Sequence, residues 1–367
     1  MSEKAKYFYA FSTDERFSVK FSNLLYDYFG DIEAAWNGEI SELLKVEGLS
    51  KKKIIEFNGF RNSIDVDKIY SDFLNSENKF ITIEDYEYPS LLKEIHNPPL
   101  WLFYRGNINI LNTCGKKMAV VGSRRASITA KNVLTKILSE FENTDLCVVS
   151  GMADGIDTTA HQAALKYNLP TIAVLGSGLE NIYPIKNTEL FNSIINSKGL
   201  VLSEFPPKSP PIKYHFPLRN RIVSGISDCT LVAEATLKSG ALITAGLCLE
   251  QNRELMCIPG AINNPGTEGI YKLLKNGAGI VTCGDDILNN MNWHINKFSK
   301  SSEQNDIFQN LSDDEKIVAD LLRRDTLTID ELSYKTNFSI DTLMLILTNL
   351  ELQDIITQIE GEKYSIL

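Results

Sequence analysis

The chain has 367 residues, 43% of them hydrophobic, with a formal net charge of −10, six cysteines and four histidines. That length gives two or three domains with ordinary cores and excludes a disordered chain. No apolar run approaches the ~18 residues of a membrane span, and the start "MSEKAKYFYA" lacks a secretory pattern, so a cytoplasmic location without membrane contact is expected.

Residues 1–75 read as a small helical domain. "FSVKFSNLLYDYFGDIEAAWNG" has helical spacing with stops at Gly30 and Gly38, and "ISELLKVEGLSKKKIIEF" reads helix, glycine turn, helix. The second pattern is either a helix-hairpin-helix offering turn N–H groups to a phosphate or a plain helical hairpin. Residues 80–114 read as a connector with an extended start, and the prolines of "NPPLWLFYRG" exclude a continuous helix.

From 115 to about 287 short apolar runs alternate with helical stretches. "KKMAVVG", "LCVVSG", "TIAVLGSG", "GLVLSEF", "CTLVAEA", "ELMCIPG" and "GIVTC" are the runs. This alternation predicts an α/β fold, a doubly wound and mostly parallel sheet whose ligands bind beyond the carboxyl ends of the strands. The sheet domain is placed at 80–290 and a polar linker at 291–310. Residues 311–367 predict three helices and a hairpin turning at Gly361, a winged helix-turn-helix. Residues 301–367 hold 5 Lys/Arg against 14 Asp/Glu, which repels phosphate and favours a protein-contact role for this part.

Three strand ends carry glycine-rich turns. "GSRRAS" offers Gly122, Ser123 and Arg124 to an anion before a helix N-terminus. "SGMADGID" brings Ser150, Gly151 and Gly155, with Asp157 as a possible cap, and "GSGLENIYP" follows the third strand. There is no G-x-G-x-x-G after the first strand, no P-loop and no nucleophile elbow. His161 reads as a packed or capping histidine, and Glu234 is the one carboxylate of the region that stands out. No catalytic set, metal pair or cofactor motif emerges. The cysteines, Cys114, Cys147, Cys229, Cys248, Cys257 and Cys283, form no C-x-x-C pair and read as reduced, mostly buried thiols.

The run from Phe205 to Arg221, ending "KYHFPLRNR", holds no acid. On one reading Lys213, Arg219 and Arg221 meet phosphates, Phe216 stacks on a base, and Pro217 stiffens the approach. On the other, Phe216 fills core and the arginines pair with acids on neighbouring elements.

"VGSR", "SGMADGID", "FPLRNRIVSGIS" and "SGALITAGLCLEQNRELMCIPG" resemble the DNA-processing protein A (DprA, or Smf) family over about residues 80–285. The resemblance implies an extended Rossmann-like core and a homodimer. It also implies binding and protection of single-stranded DNA, and loading of RecA recombinase onto it during natural transformation, without enzymatic activity. It places the phosphate loop at Gly122, Ser123 and Arg124, the basic and stacking residues of the DNA groove at Lys213 and Phe216, and further contacts at Arg219 and Arg221. Gly151 and Gly155 match the family's turn after Ser150. Two positions depart from the family: Thr129 and Ala130 replace a frequent Tyr-Gly, and Tyr271 stands where Asn is frequent, near the region associated with dimer contact. An alternative function is an enzyme or sensor for a nucleotide-derived ligand, resembling phosphoribohydrolases, since "PGAINNPGTEG" keeps part of their motif, including Glu268.

Overall fold

The computed structural model describes residues 4–17, 19–295, 312–322, 326–336, 338–352, 356–359 and 363–366. They form two compact units, within 1–297 and 298–367. Most of the segment read as a linker, residues 296–310, and the hairpin turn at Gly361 lie outside the described residues.

The first unit is built on nine strands: β1 (Lys79–Thr82), β2 (Trp101–Gly106), β3 (Lys116–Val121), β4 (Leu146–Ser150), β5 (Thr171–Val174), β6 (Leu200–Ser203), β7 (Cys229–Val232), β8 (Glu254–Cys257) and β9 (Gly279–Ile280). Their order in the sheet is β1-β2-β6-β5-β4-β3-β7-β8-β9. The seven strands from β6 to β9 are parallel, with Ala119 opposite Val149 on one side and Thr230 on the other. Strands β4 to β7 are buried at every position, which is why their sequences are unbroken apolar runs. Alternate residues of β3 serve opposite faces: Met118 and Val120 enter one core, Ala119 and Val121 the other.

The expected connector contributes two strands. β1 pairs antiparallel with β2, and β2 antiparallel with β6, Phe103 facing Ser203. Pro98 and Pro99 precede β2, so they cost its ladder nothing.

Six helices precede the sheet: α1 (Ala5–Ser12), α2 (Val19–Phe29), α3 (Ile32–Asn37), α4 (Ile40–Leu43), α5 (Lys51–Asn62) and α6 (Val66–Leu74). Their phenylalanines, Phe8, Phe11, Phe17 and Phe57 among them, are buried in one cluster with Phe80, Trp101 and Phe103 of the first two strands. The helical part therefore shares its core with this end of the sheet. Nine further helices follow among the described residues of this unit: α7 (Ser90–Lys93), α8 (Ile110–Thr113), α9 (Ile128–Ser139), α10 (Ile156–Lys166), α11 (Thr188–Asn196), α12 (His215–Gly225), α13 (Ala241–Glu250), α14 (Glu268–Lys275) and α15 (Gly284–Met291). α9, α10 and α15 cover one face of the sheet, and α12 and α13 the other.

α12 is a correction to the sequence reading, which left "HFPLRNR" without a helix. Pro217 is its third residue, in the first turn, where no hydrogen bond to an i−4 carbonyl is required.

The second unit is a winged helix. Helices Asp313–Leu322, Ile329–Thr336 and Ile340–Leu352 pack around Val318, Leu332, Leu343 and Leu347. Strands Ile356–Ile359 and Lys363–Ile366 pair antiparallel, and Leu327–Thr328 joins the latter. The first two of these helices open with capping boxes. Glu315 accepts from Ser312 N–H at 2.8 Å, and Glu331 from Thr328 N–H at 2.8 Å. Among the described residues no helix is long and apolar enough to cross a membrane. Five of the six cysteines are buried, and none forms a disulfide.

Candidate nucleic-acid interface

The carboxyl ends of the parallel strands open into one crevice of about 1100 Å³. From β3 the chain steps through β4, β5 and β6 on one side, then crosses to β7 and β8 on the other. The crevice therefore lies at the switch point, where doubly wound sheets hold their ligands.

The turn after β3 is held from inside. Ser123 N–H donates to the Glu234 carbonyl at 2.8 Å, and the Ser123 carbonyl accepts from Ile156 N–H at 3.2 Å. Ser127 caps α9, its Oγ accepting from Ala130 N–H at 3.1 Å. The Glu234 carboxylate then accepts from both Ser127 N–H (3.2 Å) and Ser127 Oγ (2.5 Å). This corrects the expected anion site. The N-terminus of α9 is already served by an internal carboxylate, a favourable place for a negative charge. What the turn presents to a ligand is the Arg124 side chain.

Arg124 is exposed, and its guanidinium lies 5.2 Å from the centroid of the Phe216 ring, within cation–π range. Phe216, second residue of α12, is half-buried, and Tyr183 lies against it with ring centroids 5.7 Å apart. Lys213 is exposed on the same wall. No carboxylate pairs with Arg124 or Lys213 among the described residues.

Arg219 also lines the crevice, but as part of its floor. It is buried and donates Nη1 to the carbonyls of Gly151, at 2.6 Å, and Val174. Burial pulls its guanidinium down to about 10 from the usual value, with Asp157 acting the other way. The Asp157 carboxyl is in turn pushed up by burial against the pull of Arg219. Asp157 does not cap α10, whose N-cap is Gly155; it accepts from Ala153 N–H at 3.3 Å and ties the turn to itself.

Gly151 and Gly155 both stand at close approaches. A Cβ on Gly151 would lie 2.6 Å from Arg219 Nη2. Gly155 has φ +78°, and a Cβ there would strike the Ser123 carbonyl oxygen, so the turns after β3 and β4 interlock only through glycine. Ser150 is placed otherwise than expected: it is buried, its Oγ donates to the Val120 carbonyl at 2.6 Å, and it joins two strands rather than lining the crevice.

Arg221 is the main correction. It is 7% exposed, faces away from the crevice, and donates Nη2 to buried Glu204 Oε1 at 2.5 Å. Residues two apart on a helix point roughly 200° apart, so Arg219 and Arg221 cannot share a wall. Nor is the acid-free run free of acids in space. Glu15 accepts from Ser209 Oγ at 2.6 Å and Tyr214 Oη at 3.4 Å, and stands 3.8 Å from His215 Nε2. His215 is buried and stacked on Phe205, with centroids 3.8 Å apart.

His161 is packed, as read from the sequence: Nδ1 lies 2.8 Å from Thr171 Oγ1. Tyr183 was passed over. It stands in the quoted turn "GSGLENIYP", but no spacing rule singles it out, and only the fold brings it to Phe216.

Residues 79–292, more than half of the chain, match the family model described as DNA recombination-mediator protein A. The chain belongs to the DNA recombination-mediator protein A family. Residues 304–362 match the DprA winged helix domain. DNA processing protein DprA of Streptococcus pneumoniae is 44% identical over 201 residues, covering 55% of this chain and 70% of the relative. Protein Smf of Synechocystis is 37% identical over 266 residues, 72% of this chain and 67% of that one. Among solved structures, DprA of S. pneumoniae superposes with TM-score 0.67 at 34% identity, covering 79% of this chain and 97% of that one. DprA of Helicobacter pylori, described for its single-stranded DNA binding mode, gives TM-score 0.53 at 30% identity over 59% of this chain and 98% of that one. The crevice, with Arg124 and Phe216 on its walls, falls wholly within the part that matches the DNA recombination-mediator protein A model.

Proposed function

We propose that the crevice binds single-stranded DNA, and that the protein protects this strand and loads RecA recombinase onto it during natural transformation or recombination. It acts as a cytoplasmic homodimer and catalyses no reaction. The observation that carries this reading is the Arg124–Phe216 pair at the switch point of the sheet, 5.2 Å from guanidinium to ring. Guanidinium and ammonium groups neutralise backbone phosphates whatever the sequence, and a half-buried ring accepts any base on its face. Lys213 adds a second exposed cation, Arg219 braces the floor, and Gly151 and Gly155 let the turns beneath it pack closely. The H. pylori relative, described as binding single-stranded DNA, supports the choice of ligand.

Fluorescence anisotropy of a labelled dT20 and of a duplex of equal length, at several salt concentrations, tests the reading. Wild type is expected to prefer dT20 and to lose affinity steeply with salt. Arg124→Ala binding dT20 like wild type at every salt concentration overturns it.

The nucleotide-ligand enzyme has less support. Glu268, the acid of its motif, is exposed and outside the crevice lining, and the Glu234 carboxylate is committed to Ser127. Hydrolysis of a nucleoside monophosphate by purified protein would restore it.

A further inference from the structure

The crevice has a second wall, built without arginine or lysine. β7, the neighbour of β3, runs out into residues 233–240 and then α13, and Ser239, Gly240, Thr244 and Asn264 line the crevice there. We propose that the N-terminus of α13 is a further phosphate subsite, holding a backbone phosphate of the strand other than the one met by Arg124. The proposal rests on the reading of the crevice as a groove for single-stranded DNA.

Thr244 is the group that points to a ligand. It is 2% exposed and stands one turn into α13. Four other threonines in helices return their hydroxyl to the carbonyl four residues back: Thr135 to Lys131 at 2.8 Å, Thr159 to Gly155 at 3.0 Å, and Thr336 to Leu332 and Thr348 to Met344, both at 2.7 Å. Thr244 does not, and its Oγ1 makes no hydrogen bond among the described residues. The oxygen is not sealed in, so it opens on the crevice that the residue lines. Buried hydroxyls nearly always have a partner, and here the partner has room to come from a bound strand.

Around Thr244 stand further donors. Ser239 Oγ accepts from Ala241 N–H at 3.2 Å, which leaves its own hydroxyl proton to give. Gly240 N–H has no acceptor among the described residues, and a Cβ on Gly240 would meet nothing within 4 Å, so this corner is open to approach. Asn264 Oδ1 accepts from Gly266 N–H at 2.9 Å, leaving Nδ2 to donate. α13 is ten residues long and has no acid in its first turn. The two carboxylates that line the crevice are turned elsewhere, Glu234 on Ser127 and Asp157 on Ala153 N–H. The α9 dipole is answered by Glu234; the α13 dipole is not answered from within the protein. A cluster of donors at a helix N-terminus suits phosphate oxygens, which only accept. A base edge, which carries donors as well, would leave some of its own groups unmatched.

Two variants of the full-length protein test the subsite without threatening the fold. Thr244→Val removes a hydroxyl that has no partner to lose. Ser239→Asp keeps an acceptor for Ala241 N–H and favours the helix, but sets a negative charge where the phosphate would lie. Both are expected to unfold in urea no earlier than wild type. Anisotropy titrations use dT20 and an abasic strand of equal length, which keeps the phosphates and has no bases. Each variant is expected to lose about tenfold in affinity, the effect of a hydrogen bond to a charged group, and to lose it equally on both probes. A loss confined to dT20 would give this wall to a base edge and overturn the phosphate subsite. Wild-type binding of dT20 by both variants would overturn it as well. Arg124→Ala is titrated alongside. If it alone is impaired, the groove stands without this subsite; if only the α13 variants are impaired, the subsite stands and the role of Arg124 falls.

Discussion

Arg219 and Arg221, two residues apart on α12, are anchored on opposite sides of it: Arg219 to the Gly151 and Val174 carbonyls, Arg221 to Glu204 at 2.5 Å. One braces the floor of the crevice. The other belongs to the buried joint between the helix and the end of β6.

Arg221→Met therefore acts on stability before it acts on any ligand. It leaves the Glu204 carboxylate buried without its cation, which costs about 3–5 kcal/mol, whereas Arg221→Met with Glu204→Leu is expected to recover most of that. Burial already pushes the Glu204 carboxyl up, with Arg221 opposing. A carboxyl raised in the folded state contributes stability below its unfolded pKa and loses it as pH rises through the folded value. Without Arg221 the rise is greater, so the single variant regains stability as pH falls below neutral and the double variant does not. Urea unfolding at several pH values checks both.

The sheet was legible in the sequence because its parallel strands are buried on both faces. Continuous apolar runs ending in glycine have few other uses, and "LCVVSG" and "TIAVLGSG" became β4 and β5. β2 was hidden by Pro98 and Pro99, which argue against helix but are silent on an edge extension. α12 was hidden because its polar side chains are consumed by burial. Arg219 and Arg221 are both buried through partners remote in sequence, so the segment shows little apolar periodicity. Reading the run as a set of phosphate ligands put Arg221 in the crevice; the other reading, in which the arginines pair with acids, is what Arg221 does with Glu204. Arg124, Lys213 and Phe216 do line one crevice, because the segments that follow β3 and β6 open at the same end of the sheet. The role of Glu234 at the N-terminus of α9 depends on β3 and β7 being neighbours, which no local pattern reveals.

His161 makes the first unit sensitive to acid. Thr171 Oγ1 donates to the Val148 carbonyl at 2.8 Å, so it accepts from Nδ1–H of a neutral imidazole. The other ring nitrogen, Nε2, is buried and makes no hydrogen bond. Burial first, and then Arg219, lower this histidine from 6.5 to about 3. A lowered histidine favours the unfolded chain as soon as that chain binds a proton. Its cost is nil above the unfolded value and grows as pH falls from 6.5 towards 3, reaching about 2 kcal/mol at pH 5. His161→Asn, which keeps a donor for Thr171, is expected to flatten the pH dependence of the urea midpoint in that window by about one proton. An unchanged slope would show that other groups set the acid limb.

Ser127 and Glu234 are expected to couple as a structural pair. Ser127→Ala removes the cap of α9 and one of the two donors to Glu234. A loss of about 1–2 kcal/mol is expected, with a smaller one for Glu234→Gln. The double variant should lose less than the sum of the two, since both act on one contact. Thermal or urea unfolding supplies the cycle, and full additivity would break the assignment.

Arg124 and Phe216 should separate by their dependence on salt. A guanidinium on a phosphate contributes through counterion release, so Arg124→Ala should lower affinity for dT20 and flatten the plot of log Kobs against log salt by about 0.7. A ring under a base releases no counterion. Phe216→Ala should cost about 1–3 kcal/mol and leave the slope at its wild-type value. The two are also linked, since the guanidinium rests 5.2 Å from the ring centroid in the free protein. Removing Phe216 unmoors Arg124 as well, so the double variant should fall short of the summed losses by about 0.5–1 kcal/mol. Anisotropy titrations of wild type, both single variants and the double at four salt concentrations yield slope and coupling together. A flattened slope in Phe216→Ala with an unchanged one in Arg124→Ala would reverse the roles assigned here and move the phosphate contact to another cation of the crevice, Lys213 first.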